Sequence, residues 1–122
     1  MSEEEGYLRK FQKELNAGIV ALVLLAILAE AHEPQYGYQI AKRLQRDNAE
    51  NTVMKQGTLY PVLRSLSAAG LLDSYVEPSV SGPPRRYYTI TNAGRTVLNQ
   101  WKDAWANTRD FVDAIMKDNR HD

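Results

Sequence analysis

The sequence predicts a mainly α-helical fold with a small β-hairpin, and three observations carry that expectation. Apolar residues recur at three- and four-residue spacing over four separate stretches, the pattern of helices that bury one face. Between the third and fourth stretches, two segments rich in tyrosine, valine and isoleucine flank a turn containing proline and glycine, which reads as a hairpin. The chain has 122 residues and no cysteine, so one small domain must hold by packing alone, without disulfides or thiolate metal sites.

The first helix is expected over Tyr7 to Glu30. Leu8, Phe11, Leu15, Leu22, Leu25 and Ala29 lie on one stripe, and Ile19, Val23, Ala26 and Ile27 widen it to almost the whole circumference. A helix apolar most of the way round is buried on more than one side, and here one side falls to a second chain. His32-Glu33-Pro34 ends it. The apolar run Ala17 to Ala29 is thirteen residues, short for a bilayer span, and the acidic opening Met1 to Glu5 is no secretory signal. A cytoplasmic location is expected.

A second helix runs from about Tyr36 to Arg46, burying Ile40, Ala41 and Leu44 and turning Lys42, Arg43 and Arg46 to water. Gly37, between two tyrosines, suggests a close approach by neighbouring backbone. A polar connection, Asp47 to Asn51, and a short extended lead, Thr52 to Met54, follow.

The third helix, centred on Gly57 to Ser65, has two faces. Leu59, Val62, Leu63 and Leu66 form a stripe to be buried, while Gly57, Tyr60, Pro61 and Arg64 carry a phenol and a guanidinium outward. Pro61 requires the helix to begin shortly before it, because a first-turn residue has no intrahelical N–H bond to lose. Gly70 supplies a left-handed stop, with Leu71 as the apolar follower. Leu72 to Glu77 is a strand, Pro78 to Pro84 the turn, and Arg85 to Ile90 the return strand. Tyr87 and Tyr88 alternate faces, so at least one belongs to the core.

Thr91 is the expected N-cap of a final helix reaching about Lys117. Along it Val97, Trp101, Ala104, Thr108, Phe111 and Ile115 follow a 4-3-4-3-4 spacing, with Leu98, Trp105 and Val112 in a second row. A protruding helix cannot bury such a seam on its own chain, so a homodimer is expected. The expected interface comprises Leu8, Phe11, Leu15, Leu22, Trp101, Trp105, Thr108, Phe111, Val112 and Ile115. Residues 1–91 would form the DNA-binding unit and residues 92–122 the dimerisation helix, with helix 7–30 contributing to both. A short two-faced helix followed by a basic-tipped hairpin is the layout of a winged helix-turn-helix, a DNA reader.

Net charge is zero, yet the charge is unevenly spread. Residues 1–35 carry −3, residues 36–95 carry +4 and residues 96–122 carry −1, so the positive segment is the one expected to meet phosphate. Within it, the Thr58 and Tyr60 hydroxyls suit phosphate oxygens, and Gln56 and Arg64 suit base edges, where an amide or a guanidinium pairs bidentately. Arg85 and Arg86, after a rigid Pro83-Pro84 tip, suit a narrow minor groove or flanking phosphates. Trp101 and Trp105, one turn apart, would meet Phe11, Leu15 and their dimer mates around a flat apolar slot for an aromatic ligand. His32 and His121 are too isolated to form a metal pair, and Asp73 and Glu77 form no paired-carboxylate site. Neither enzymatic activity nor a cofactor is expected.

Tyr36 to Ile40, Gly57 to Arg64 and Pro84 to Gly94 occur in the order and spacing of the PadR family of bacterial transcriptional regulators, which this chain resembles over roughly residues 17 to 112. The short C-terminal segment is like the subfamily with a single dimerisation helix. The resemblance implies a homodimeric winged-helix repressor, often one governing detoxification or efflux genes and released by phenolic or flat aromatic compounds. It implies a recognition helix at Gly57 to Ser65, a backbone contact at Tyr60 and a wing carrying Arg85 and Arg86. The DNA-contacting set is thus Tyr38, Lys55, Gln56, Thr58, Tyr60, Arg64, Arg85 and Arg86. Two departures stand out: His32-Glu33-Pro34-Gln35 is a slightly long turn, and Lys55-Gln56 stands where small residues or proline are common. The rival reading is a winged-helix interaction module without sequence-specific DNA binding, which the neutral net charge keeps open.

Overall fold

A computed structural model describes residues 2–47 and 56–119. Lys55, the lead Thr52 to Met54, the side chain of Gln56 and His121 lie outside the described residues. The elements are α1 Glu3–Glu30, β1 Gln35–Tyr36, α2 Gly37–Asp47, α3 Gln56–Ala68, β2 Leu72–Glu77, β3 Arg85–Ile90 and α4 Asn92–Asn119. The strands form one antiparallel sheet in the order β1-β3-β2. The hairpin is therefore the larger part of a three-stranded sheet.

Helix α1 begins at Glu3 rather than Tyr7, and its opening residues explain why. The Ser2 hydroxyl accepts the Glu5 N–H at 3.1 Å, and Glu3, Glu4 and Glu5 place negative charge at the positive end of the helix dipole. By length and composition α1 suffices to cross a membrane, more than its thirteen-residue apolar run indicates. Its Val20, Leu24, Leu25 and Leu28 are instead buried in the hydrophobic core. There they meet Ile40 and Ala41 of α2, Leu59, Leu63 and Leu66 of α3, Leu72, Tyr88 and Leu98. The expected alternation of Tyr87 and Tyr88 holds, with Tyr88 in the core.

The expected stop of α3 is present. Gly70 has φ +81, its N–H donates to the Ser67 carbonyl, and the Leu71 N–H donates to the Leu66 carbonyl, both at 3.0 Å. This is the two-bond closure that a left-handed residue after a helix permits. The placing of Pro61 differs from expectation. Because α3 starts at Gln56, Pro61 lies beyond the first turn, and the Gly57 carbonyl loses its i+4 donor. Gly57 is itself exposed.

Thr91 caps α4 as expected, accepting the Gly94 N–H at 2.9 Å. Its hydroxyl also donates to the Gly70 carbonyl at 2.8 Å, so one side chain joins the end of α3 to the start of α4. Beside it, a Cβ on Gly94 would collide with the Leu71 carbonyl oxygen. Arg95 reaches the Ala29 carbonyl at 3.5 Å, setting the start of α4 against the end of α1. The far ends of the two long helices leave the core: Tyr7, Leu8, Phe11 and Leu15 on α1, and Phe111, Val112, Ile115 and Met116 on α4, are exposed.

Candidate nucleic-acid interface

Helix α3 turns its two faces as its residue pattern requires. Leu59 and Leu63 are wholly buried, whereas Thr58, Tyr60 and Arg64 are exposed. Burial of the leucine row leaves the polar row no direction but outward. Tyr60 is 39% exposed, and the reason for its partial shielding is Gly37. A Cβ at Gly37 would stand 2.5–2.8 Å from the far end of the Tyr60 ring. The close neighbour of Gly37 is thus a side chain, not the backbone the sequence suggested, and glycine there lets the start of α2 lie directly on the phenol. The strand Gln35–Tyr36 also moves the start of α2 to Gly37, where the Gln39 side chain accepts the Tyr36 N–H at 3.0 Å.

Across from Tyr60 stands the wing. Strand pleat sends Arg86 and Tyr88 to one face of β3 and Arg85 and Tyr87 to the other. The two arginines consequently have different partners. Arg86 Nη1 donates to the Ser74 hydroxyl at 3.0 Å on the adjacent strand, while the Arg85 guanidinium lies 4.5 Å from the centroid of the Tyr36 ring. A contact of the latter kind is worth about 0.5–1 kcal/mol at an exposed site. The Lys42 ammonium lies 5.8 Å from the centroid of the Tyr38 ring in the same way.

Between α2, α3 and the wing opens a cleft of about 530 Å³ lined by Tyr36, Gly37, Tyr38, Tyr60, Pro84, Arg85, Arg86 and Tyr88. Four tyrosines and two arginines line it, with no carboxylate on the lining among the described residues, a set suited to an anion. Burial holds the Tyr88 phenol above its ordinary value; Arg86 opposes this, the Tyr60 hydroxyl adds to it, and Arg64 opposes it again. Of the residues expected to contact DNA, Tyr38, Tyr60, Arg85 and Arg86 come together in this cleft, and Thr58 and Arg64 stand exposed on α3. Tyr36 and Tyr88 also line the cleft, beyond the residues expected from the sequence. The repeated tyrosines of Tyr36-Gly37-Tyr38 and Tyr87-Tyr88 were the signal available.

The expected ligand slot is less concentrated. Trp101 packs against the core, and Trp105 is 40% exposed. Both border a shallow cleft of about 330 Å³ with Ile19, Leu22 and Thr108. Leu15 and Trp105 also border a groove of about 750 Å³ between α1, α2 and α4, whose rim includes the Glu30–Arg43 ion pair at 3.2 Å. Phe11 lines neither of these two; it stands exposed farther along α1. Among the described residues no group of histidine, aspartate and glutamate is placed to hold a metal ion.

The sequence matches the family described as "Transcriptional regulator PadR-like family" over residues 24–100. A transcriptional regulator of Mycobacterium tuberculosis is 36% identical over 94 residues, which is 76% of this chain and 78% of that protein. Among solved structures, a PadR family transcriptional regulator from Eggerthella lenta is similar with a TM-score of 0.77 and 31% identity, over 93% of this chain and 95% of that one. A transcriptional regulator from Clostridium thermocellum is similar with a TM-score of 0.72 and 29% identity, over 82% of this chain and 92% of that one.

Proposed function

The chain belongs to the PadR-like family of transcriptional regulators, and on that premise we propose that it acts as a homodimeric repressor of a pseudo-palindromic operator. It is a regulator and not an enzyme. The observation that carries the proposal is the meeting of Tyr38, Tyr60, Arg85 and Arg86 in one anion-suited cleft beside the exposed face of α3. In this reading α3 enters the major groove, Arg64 reads a base edge, Thr58 and Tyr60 fix register on phosphate, and the wing lies on the flanking backbone.

The exposed apolar ends of α1 and α4 support the dimer. Phe111 is 66% exposed and Leu8 is 64% exposed, and both lie on the faces that a second copy would cover. Two heads so joined present their recognition helices to successive major grooves, about 34 Å apart. A flat aromatic effector would enter beside Trp105 and act by favouring a head spacing that no longer fits the duplex.

Selection of duplexes from a random pool, followed by fluorescence-anisotropy titration, tests the reading. Binding should fall steeply as salt rises, and Arg64→Ala should relax base preference at the position it reads. Failure of the intact chain to bind any duplex at low salt would favour the interaction-module reading instead.

A further inference from the structure

The aromatic face of the small sheet is a ladder. Tyr36 stands opposite Tyr87 on β3, and Tyr87 stands opposite Tyr75 on β2, so each strand contributes one ring to the same face. The Tyr36 and Tyr87 rings meet edge to face with centroids 5.4 Å apart, and Tyr87 and Tyr75 stack at 5.5 Å. Tyr36 also stacks with Tyr38, with centroids 6.4 Å apart. Each ring is therefore held by its neighbours, and Tyr36 has two aromatic partners.

Arg85 sits on the Tyr36 ring, with its guanidinium 4.5 Å from the centroid. A stacked guanidinium keeps its N–H edge free, so the contact with the ring leaves the phosphate-binding fork available. An arginine just after a Pro-Pro tip would otherwise sample many rotamers and lose that freedom on meeting DNA. We propose that Tyr36 is a positioning residue for DNA binding: its ring, locked in the ladder, holds the Arg85 guanidinium at the mouth of the Tyr38–Tyr60 cleft, ready for a backbone phosphate. In this role Tyr36 acts through the Arg85 side chain that lies over its ring. The inference rests on the reading of the chain as a DNA-binding regulator and adds to it a device that readies one wing arginine before contact.

Two measurements test this. In anisotropy titrations against the selected duplex, Tyr36→Leu should weaken binding by about two- to fivefold, the size of an exposed cation–π contact. Tyr36→Phe, which keeps the ring face, should lose less than Tyr36→Leu does. In an Arg85→Ala background, Tyr36→Leu should cost nothing further, because the side chain it positions is gone. In the free protein, the Arg85 Nε–Hε resonance should lie upfield under the Tyr36 ring current and return to its free-peptide position in Tyr36→Leu. The inference is overturned by an equal loss in both backgrounds, by a loss in Tyr36→Phe as large as in Tyr36→Leu, or by an unshifted Arg85 resonance in the wild type. A wild type that binds no duplex sinks the functional reading and this inference with it. A wild type that binds, and is weakened by Arg85→Ala but indifferent to Tyr36→Leu, sinks this inference alone.

Discussion

Replacing Gly37 by alanine puts a methyl carbon where the Tyr60 ring lies: 2.5 Å from Cε1, 2.6 Å from the hydroxyl oxygen and 2.8 Å from Cζ. All three are atoms at the far end of a partly exposed side chain, so the ring gives way rather than the backbone. Gly37 is not among the positive-φ glycines, and alanine at that helical position brings no backbone strain. It contributes up to about 1 kcal/mol in helix propensity, set against about 0.5–1.5 kcal/mol for driving Tyr60 off its rotamer. Net stability should therefore change by less than about 1 kcal/mol. DNA affinity should respond more, because a displaced phenol would lose the phosphate hydrogen bond proposed for it. That bond is worth about 0.5–1.5 kcal/mol, or roughly a two- to twelvefold rise in Kd. Anisotropy titration on the selected duplex, paired with thermal unfolding followed by circular dichroism, reads both quantities. Tyr60→Phe should reproduce the affinity loss, and in a Tyr60→Ala background Gly37→Ala should cost nothing more. Wild-type affinity in Gly37→Ala, or an undiminished loss when Tyr60 is already alanine, would refute the reasoning.

Leu63→Ala removes a fully buried side chain from the middle of the core and should cost about 2–5 kcal/mol in a urea unfolding curve. Thr91→Ala breaks both the cap on Gly94 and the link to the Gly70 carbonyl, and the same curve should fall by about 1–2 kcal/mol. Phe111→Glu combined with Ile115→Glu places charge on the exposed seam of α4; sedimentation equilibrium should then report a monomer with unchanged helix content. A double variant that remained a dimer would place the interface elsewhere.

The parts legible in the sequence were those governed by local chemistry. Gly70 stops α3, Thr91 starts α4, and Leu72–Glu77 and Arg85–Ile90 form strands at the expected bounds, because each depends on a residue's own torsions, caps or alternation. The parts that were not legible depend on what the chain meets in space. Two residues, Gln35–Tyr36, show no periodicity, and they become a strand only because β3 offers them an edge. Gly37 announced a close approach, but only the fold supplies Tyr60 as the neighbour. Arg85 and Arg86 looked like a pair, yet the pleat gives one to Tyr36 and the other to Ser74. The tyrosine ladder likewise needs a three-strand register before its rings can meet. Pro61 shows tertiary burial overriding a local rule, since the leucine row keeps α3 helical past a lost hydrogen bond.

Hydroxyl-radical footprinting of the intact protein on its selected duplex tests the central claim most directly, because it reads the number and spacing of heads on DNA. Two protected backbone patches of similar extent, their centres about one helical turn or 10–10.5 base pairs apart, are the expected result. A single protected patch, or cleavage indistinguishable from free DNA at low salt, would contradict the account.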